Sequence, residues 1–528
     1  MPAARRRRAL ASGLAAVLVL LASCSVTGSG PDPAERPAPA TVIPTVPSLP
    51  AEGRPLRPVP DVRPAGFAPQ PPGSGMRRYR DQTLDWRPCG RDLQCVSVLA
   101  PLDYQDPDGE ALTLALAKRV ATAQPRLGTL FVNPGGPGGS GRGYVGSFDT
   151  RGLEAYDVVG WDPRGVGAST PVRCYGSGDL DRHLAVDVSP DDAAEQSALL
   201  AEVYAFGQAC LDHSGPLLEH ISTQTTVLDL DLLRQLVGDQ QLHYFGASYG
   251  TQIGALYAQL YPRTVGRMVL DGAVDITGRQ EVSQLQGFER ALDHFAGWAA
   301  TRDPDPPLGA SEAAVLSRVR QLLVGLDAAP LPAGDGRRLS QQQGVEGVVS
   351  SLYGREGWVP LLSALAAATN GDGRALLALA DQGNQRSRAG TYGQINDAFP
   401  AVRCLDSQDT SVAGAERDAR RLVVKAPVLG PFAGPDLVCP LWPVAPAPKE
   451  PRITADGAVP IVVLGTTGDP ATPYENAEGM AAQLKSGVLV TLVGEGHTAY
   501  DQSACVRDLV VPYLVGGGAP ADGSRCTS

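Results

Sequence analysis

The sequence predicts an α/β protein with a mostly parallel central sheet and a large, mainly helical insertion. Three observations predict it. Short apolar runs of strand length alternate with helical patterns, the signature of successive βαβ units. Those runs are continuously apolar, as strands covered on both faces must be. Between about residues 275 and 450 the rhythm gives way to amphipathic helical patches with Gly/Pro breaks, and afterwards it resumes.

In chain order, Arg5–Arg8 precede an apolar run from Ala9 to Ala22 that ends in Leu21-Ala22-Ser23-Cys24. The run is short for a bilayer span and reads as a cleaved export signal. Its last four residues resemble the bacterial lipobox, which makes Cys24 the expected lipidation site. The membrane is then an expected partner, through a lipid anchor at Cys24. The expected location is outside the cell membrane, facing the cell wall, with a shed soluble form as an alternative. Residues 25–75 are Pro-rich without apolar periodicity and are expected to form a semi-rigid tether. The expected core then comprises residues 76–274 and 451–528, and residues 275–450 form the insertion, a cap over the sheet.

Within the core, strands are expected at 96–99, 112–118, 128–133, 156–162, 242–246 and 265–271, and again at 459–465 and 488–493. Helical spacing runs from Thr251 to Tyr261 and stops at Pro262. In the cap, 313–326 and 357–368 are helical patches.

With 528 residues, the chain exceeds what one hydrophobic core usually serves, which agrees with a core plus a large insertion. A net charge of −11 argues against a nucleic-acid partner. Apart from Cys24, eight of the nine cysteines remain, an even number in a chain bound for an oxidising compartment. Closeness in sequence pairs Cys89 with Cys95, Cys174 with Cys210, Cys404 with Cys439, and Cys505 with Cys526. No CxxC or Cys/His cluster has zinc spacing, so no metal is expected.

Gly246-Ala247-Ser248-Tyr249-Gly250 is a G-x-S-x-G between an apolar strand and a helical segment. That setting is the nucleophile elbow of the α/β-hydrolase fold, and it makes Ser248 the candidate nucleophile. A serine hydroxyl needs a base, and in this fold the acid and the histidine follow it in the chain. Of the histidines after Ser248, His294 falls in a helical pattern, whereas His497 lies in a loop after a late strand. Asp469 follows the strand VPIVVLGTTG and is the candidate acid, with Asp406 and Asp275 as rivals. The glycine run Asn133–Gly139 follows the GTLFVN strand, where backbone N–H groups can approach an oxyanion. The expected donors are the N–H groups of Gly136 and Tyr249, with Gly135 the runner-up to Gly136.

On NPGGPGGSG (133–141), GWDPRGVGAST (160–170), YFGASYGTQIGALYAQLYP (244–262), VRCLD, CPLWP, GTTGDPATP and GEGHT, the sequence resembles the tripeptidyl aminopeptidase branch of the prolyl-aminopeptidase-type hydrolases. These are secreted or lipid-anchored proteases of actinobacteria. The resemblance implies removal of short peptides, typically tripeptides, from peptide or protein substrates with a free N-terminus, and no cofactor. A substrate ammonium calls for a carboxylate, and Asp406 is the first candidate, with Glu475 and Glu495 near the triad. Two other readings stand beside this one: an esterase or lipase acting on envelope lipids, and a non-catalytic binding lipoprotein.

Overall fold

An extended run that is apolar at every position can leave neither face in water, so such runs collect side by side. In a computed structural model of the protein they form an 11-stranded sheet. Residues 53–279, 281–302 and 306–527 are described; the export segment, Cys24 and the tether up to residue 52 lie outside them. The strands are β1 (Phe67–Ala68), β2 (Arg87–Gly90), β3 (Leu93–Pro101), β4 (Ala111–Arg119), β5 (Gly128–Asn133), β6 (Tyr156–Asp162), β7 (Leu242–Ala247), β8 (Val265–Asp271), β9 (Ile461–Gly468), β10 (Gly487–Glu495) and β11 (Ser524–Thr527). Their spatial order is β11-β10-β9-β8-β7-β5-β6-β4-β3-β2, with β1 also on β4. From β5 and β6 to β11 every pairing is parallel. β1 to β4 pair antiparallel, and β4 joins β6 antiparallel. The short β3–β4 connection permits a hairpin, whereas a parallel pairing needs a long crossover.

The helices that matter below are α1 (Gly141–Ser147), α2 (Ala193–Ser214), α3 (Thr223–Leu236) and α4 (Gly250–Leu260) before the cap. In the cap lie α5 (Gln284–Ala300), α6 (Glu312–Ala328), α7 (Gln341–Ser351), α8 (Trp358–Thr369), α9 (Arg374–Gly383), α10 (Ile395–Asp406) and α11 (Val412–Lys425). After it come α12 (Tyr474–Gln483) and α13 (Ala504–Leu514). Along β5, Leu130 and Val132 enter one apolar cluster and Phe131 the opposite one, so each sheet face carries its own core. The cap has a third core, built from helical spacing such as Phe288, Leu292, Phe295 and Ala299 on α5. Ser283 and Gln286 close the α5 N-terminus as a capping box.

Two features depart from the sequence reading. The stretch from β6 to α3, to which no element was assigned, holds the long helix α2, whose Leu199, Val203, Phe206 and Cys210 are buried. The end of the expected tether packs on the core, so the folded part reaches back at least to Arg54 instead of starting at residue 76. The buried Arg54 guanidinium donates to the carbonyls of Val444 (3.1 Å), Ser407 (2.7 Å) and Asp409 (3.3 Å), and β1 pairs with β4. All four cysteine pairs form as spacing suggested. Among the described residues, no helix is long and apolar enough to cross a membrane.

A chain starting at residue 53 should therefore be more stable than one starting at residue 76. Loss of the Arg54 bonds and of β1 should cost about 2–4 kcal/mol of unfolding free energy, read from urea midpoints at constant m-value.

Candidate active site

Strand order places the site. β6 lies on one side of β5 and β7 on the other, so the connections leaving β5 and β7 diverge above their carboxyl ends. Such a switch point is where open α/β sheets bind ligands. There Asn133 pairs with Gly246, and Ala247 with Asp271, so the glycine loop, the elbow and the end of β8 are neighbours.

Ser248 adopts φ 55°, the left-handed region that a β-substituted residue normally avoids. Its N–H donates to the Asp271 carbonyl (2.8 Å), and its carbonyl accepts from Thr251 N–H (2.8 Å) and Oγ1 (2.6 Å). Gly246 is required for close approach, because a Cβ there would collide with the Gly250 carbonyl. Gly135, at φ 85°, lies against the elbow: a Cβ on it would stand 2.5 Å from Ala247 O and 2.7 Å from Tyr249 N. Its own N–H is taken by Asn133 Oδ1 at 2.8 Å. The N–H groups of Gly136 and Tyr249 have no acceptor among the described residues.

Asp469 follows β9 and His497 follows β10, parallel neighbours, and their side chains meet above the sheet. His497 Nδ1 is 2.9 Å from each Asp469 oxygen. Oδ1 accepts the N–H groups of Ala471 (3.0 Å) and Thr472 (2.8 Å). Oδ2 accepts the N–H of Thr498 (3.2 Å) and the Thr472 hydroxyl (3.0 Å), which also lies 3.2 Å from His497 Nδ1. Burial opposes charge on His497, but the charge and hydrogen bond of Asp469 and the charge of Asp271 outweigh it, so its pKa lies above the ordinary 6.5. Asp271 holds the same loop by accepting Ala499 N–H (2.8 Å) and Tyr500 N–H (2.9 Å), and burial pushes its pKa up to about 7. The cap reaches this centre through Tyr353. Its carbonyl accepts His497 N–H at 2.8 Å, and its ring meets the imidazole edge-on at 5.7 Å.

Ser248, His497 and Gly136 line one cavity of about 540 Å³, roofed by α7, α9 and α10. Two acids, Glu346 and Glu356, are among its lining residues, and no Lys or Arg is. The Glu346 carboxyl has no hydrogen-bond or ion-pair partner among the described residues, and burial pushes its pKa up to about 7.

The other acids named from sequence are placed elsewhere. Asp406 does not line the cavity and is bound to Thr223. Asp275 accepts from Thr277, Glu475 pairs with Arg290, and Glu495 with His294. Sequence reasoning passed over Thr472, Tyr353, Glu346 and Asp271. Thr472 had a local signal, since an Asp three residues before a Thr often closes a turn. Asp271 ends an evident strand. Glu346 and Tyr353 had none, because only the packing of α7 and its following turn brings them to the site.

These features are those of an α/β-hydrolase with a serine nucleophile site. The family model described as "TAP-like protein" matches residues 426–526, the segment that carries Asp469 and His497. Over 482 residues the chain is 36% identical to serine protease Hip1 of Mycobacterium tuberculosis, covering 84% of this chain and 91% of that one. It is also 36% identical over 480 residues to carboxylesterase B of the same species, covering 87% and 90%. It is 30% identical over 467 residues to the tripeptidyl aminopeptidase of Streptomyces coelicolor, covering 84% and 86%. The fold and these relatives define an α/β-fold serine hydrolase. The chain belongs to the TAP-like family of serine peptidases within that class.

A base must be neutral to accept a proton, and the His497 pKa is raised. The acid limb of kcat/KM should therefore lie above pH 6.5, with activity falling as pH drops through it. In Asp469→Asn, burial is left unopposed by that charge, so the midpoint should move to lower pH while the rate falls. Thr472→Val should lower kcat about tenfold, roughly one lost hydrogen bond to a charged group. Both are read from pH–rate profiles.

Proposed function

We propose that the chain is an exported serine aminopeptidase that removes short peptides, tripeptides first among them, from free N-termini. The observation that carries this reading is the unpartnered Glu346 carboxyl in the cavity with Ser248 and His497. A partly buried carboxylate without a partner is stabilised by a cation, and a substrate ammonium supplies one. A lining with two acids and no Lys or Arg disfavours the headgroup of an anionic lipid. A cavity of about 540 Å³ suits a few residues of peptide rather than a folded chain. The similarity to a tripeptidyl aminopeptidase supports the same length.

In the mechanism, Ser248 attacks the scissile carbonyl while His497 Nε2 takes its proton, and Asp469 holds the imidazolium through Nδ1. The N–H groups of Gly136 and Tyr249 receive the oxyanion; Gly135, whose N–H is already bonded, shapes the space instead. His497 then protonates the leaving amine, and water releases the short acyl peptide by the same route in reverse. No step calls for a metal or cofactor.

The test is hydrolysis of Ala-Ala-Phe-aminomethylcoumarin, free and N-acetylated, beside p-nitrophenyl butyrate. The free peptide should be cleaved and the acetylated one spared, with a loss of at least about a thousandfold in Ser248→Ala. Glu346→Gln should raise KM for the free peptide about tenfold or more and leave ester turnover unchanged. In the wild type, KM should rise as pH falls below about 7, where Glu346 takes up a proton. Ester turnover with both peptides inert would instead favour the activity named for the carboxylesterase B relative.

Export and anchoring at Cys24 are part of this proposal and rest on the leader and its Leu-Ala-Ser-Cys end. Cys24→Ser should move the protein from the membrane fraction to the medium and abolish metabolic labelling by palmitate. Unchanged fractionation would refute the anchor.

A further inference from the structure

Asp406 sits at the end of α10, outside the cavity, yet its carboxylate is connected to the residue that follows the nucleophile. Asp406 accepts Thr223 N–H at 3.0 Å (Oδ1) and the Thr223 hydroxyl at 2.5 Å (Oδ2). Thr223 Oγ1 in turn lies 2.5 Å from the Tyr249 hydroxyl. An ionised carboxylate only accepts, so the Thr223 proton points to Asp406 and its oxygen is left to accept from Tyr249. Tyr249 keeps the proton it donates to Thr223, since burial raises its phenol pKa well above the ordinary value. The chain therefore has one direction, Tyr249 to Thr223 to Asp406. Thr223 is fully buried and is the first residue of α3, whose helix dipole favours a carboxylate there. Glu450, which binds Gln252, is the other acid facing Asp406.

The opposite end of α10 meets the other half of the oxyanion site. A Cβ on Gly138 would stand 3.1 Å from Ala398 Cβ and 3.3 Å from Phe399 N, so the first helical turn lies directly on the glycine loop. The Cys404–Cys439 bridge ties down the last turn of the helix.

We propose that α10 is a splint for the oxyanion hole: Asp406 positions the Tyr249 N–H through Thr223 and the Tyr249 hydroxyl, while the first turn of α10 positions the loop that carries Gly136. The physical need arises at Ser248. A left-handed residue persists only where its surroundings over-determine it, and the adjoining Tyr249 is tethered at its far end by this chain. Asp406 is thus a positioning residue that touches no substrate. The inference rests on Gly136 and Tyr249 being the oxyanion donors, and not on whether the substrate is a peptide or an ester.

The test uses Tyr249→Phe, Thr223→Val and Asp406→Asn in the full-length enzyme. It measures kcat and KM for the free peptide and for p-nitrophenyl butyrate. It also measures the affinity of a peptidyl trifluoromethyl ketone, which forms the oxyanion, against that of the product tripeptide, which does not. The expected result is a fall in kcat of about tenfold on both substrates with KM within about twofold. Affinity for the ketone should weaken in parallel, and affinity for the product should not change. Tyr249→Phe keeps its ring and so still reports if Asp406→Asn fails to fold. Lower thermal stability with unchanged kcat and ketone affinity would overturn the proposal. So would a rise in KM confined to free-N-terminus peptides on Asp406→Asn, which would make Asp406 the ammonium reader. An enzyme active only on esters would refute the peptidase reading, while the ester kcat would still decide this one.

Discussion

The site depends on one constraint, the left-handed backbone of Ser248 at the carboxyl end of β7. That conformation costs about 1–2 kcal/mol for a residue with a Cβ. It is held by the bond from Ser248 N–H to the Asp271 carbonyl, by Thr251 on the Ser248 carbonyl, and by the absence of side chains at Gly246 and Gly135. Relaxing any of these would turn the hydroxyl and the Tyr249 N–H away from a common point. The sheet order serves the same end, because β5 and β8 flank β7 and carry the glycine loop and Asp271 to it.

The second dependency is electrostatic. His497 is buried, which by itself favours the neutral ring, and the Asp469 charge more than compensates. Asp469 is itself buried, and four donors surround its carboxylate: the N–H groups of Ala471, Thr472 and Thr498, and the Thr472 hydroxyl. A carboxyl without such donors has its pKa raised by burial, as at Glu346 in the cavity. The cap is part of this balance. Tyr353 closes over the imidazole and takes the His497 N–H, so the helical insertion both roofs the substrate cavity and fixes the catalytic loop.

The parts of the site visible in sequence are those set by local backbone geometry. Ser248 was legible because a strand, a glycine-flanked serine and a helix follow one another within a few residues. Asp469 and His497 were legible because each follows an apolar strand in a chain order the fold dictates. The N–H groups of Gly136 and Tyr249, proposed as oxyanion donors, lie on the same two turns. The four disulfides were legible because each closes a short loop. The carboxylates other than Asp469 were not. Asp406 stood out for its disulfide neighbour and was named for the ammonium, yet its oxygens are taken by Thr223. Glu346, although the one acid on α7, carried no local mark of what it faces. The expected tether likewise read as Pro-rich throughout, although Arg54 within it is buried on the core.

By itself the sequence determined the alternating strand and helix order, the elbow, the acid and histidine positions and the cysteine pairs. Each of these is a short-range pattern of apolar periodicity, backbone conformation or loop closure. Only the tertiary structure decided which cap residues face Ser248, that Tyr353 and Thr472 reach His497, and that α10 bridges the glycine loop and Tyr249. The reason is physical. A cap helix tells its buried face by periodicity, but the partner of its other face depends on how it is laid over the sheet. That is settled by long-range packing, which no local window of residues contains.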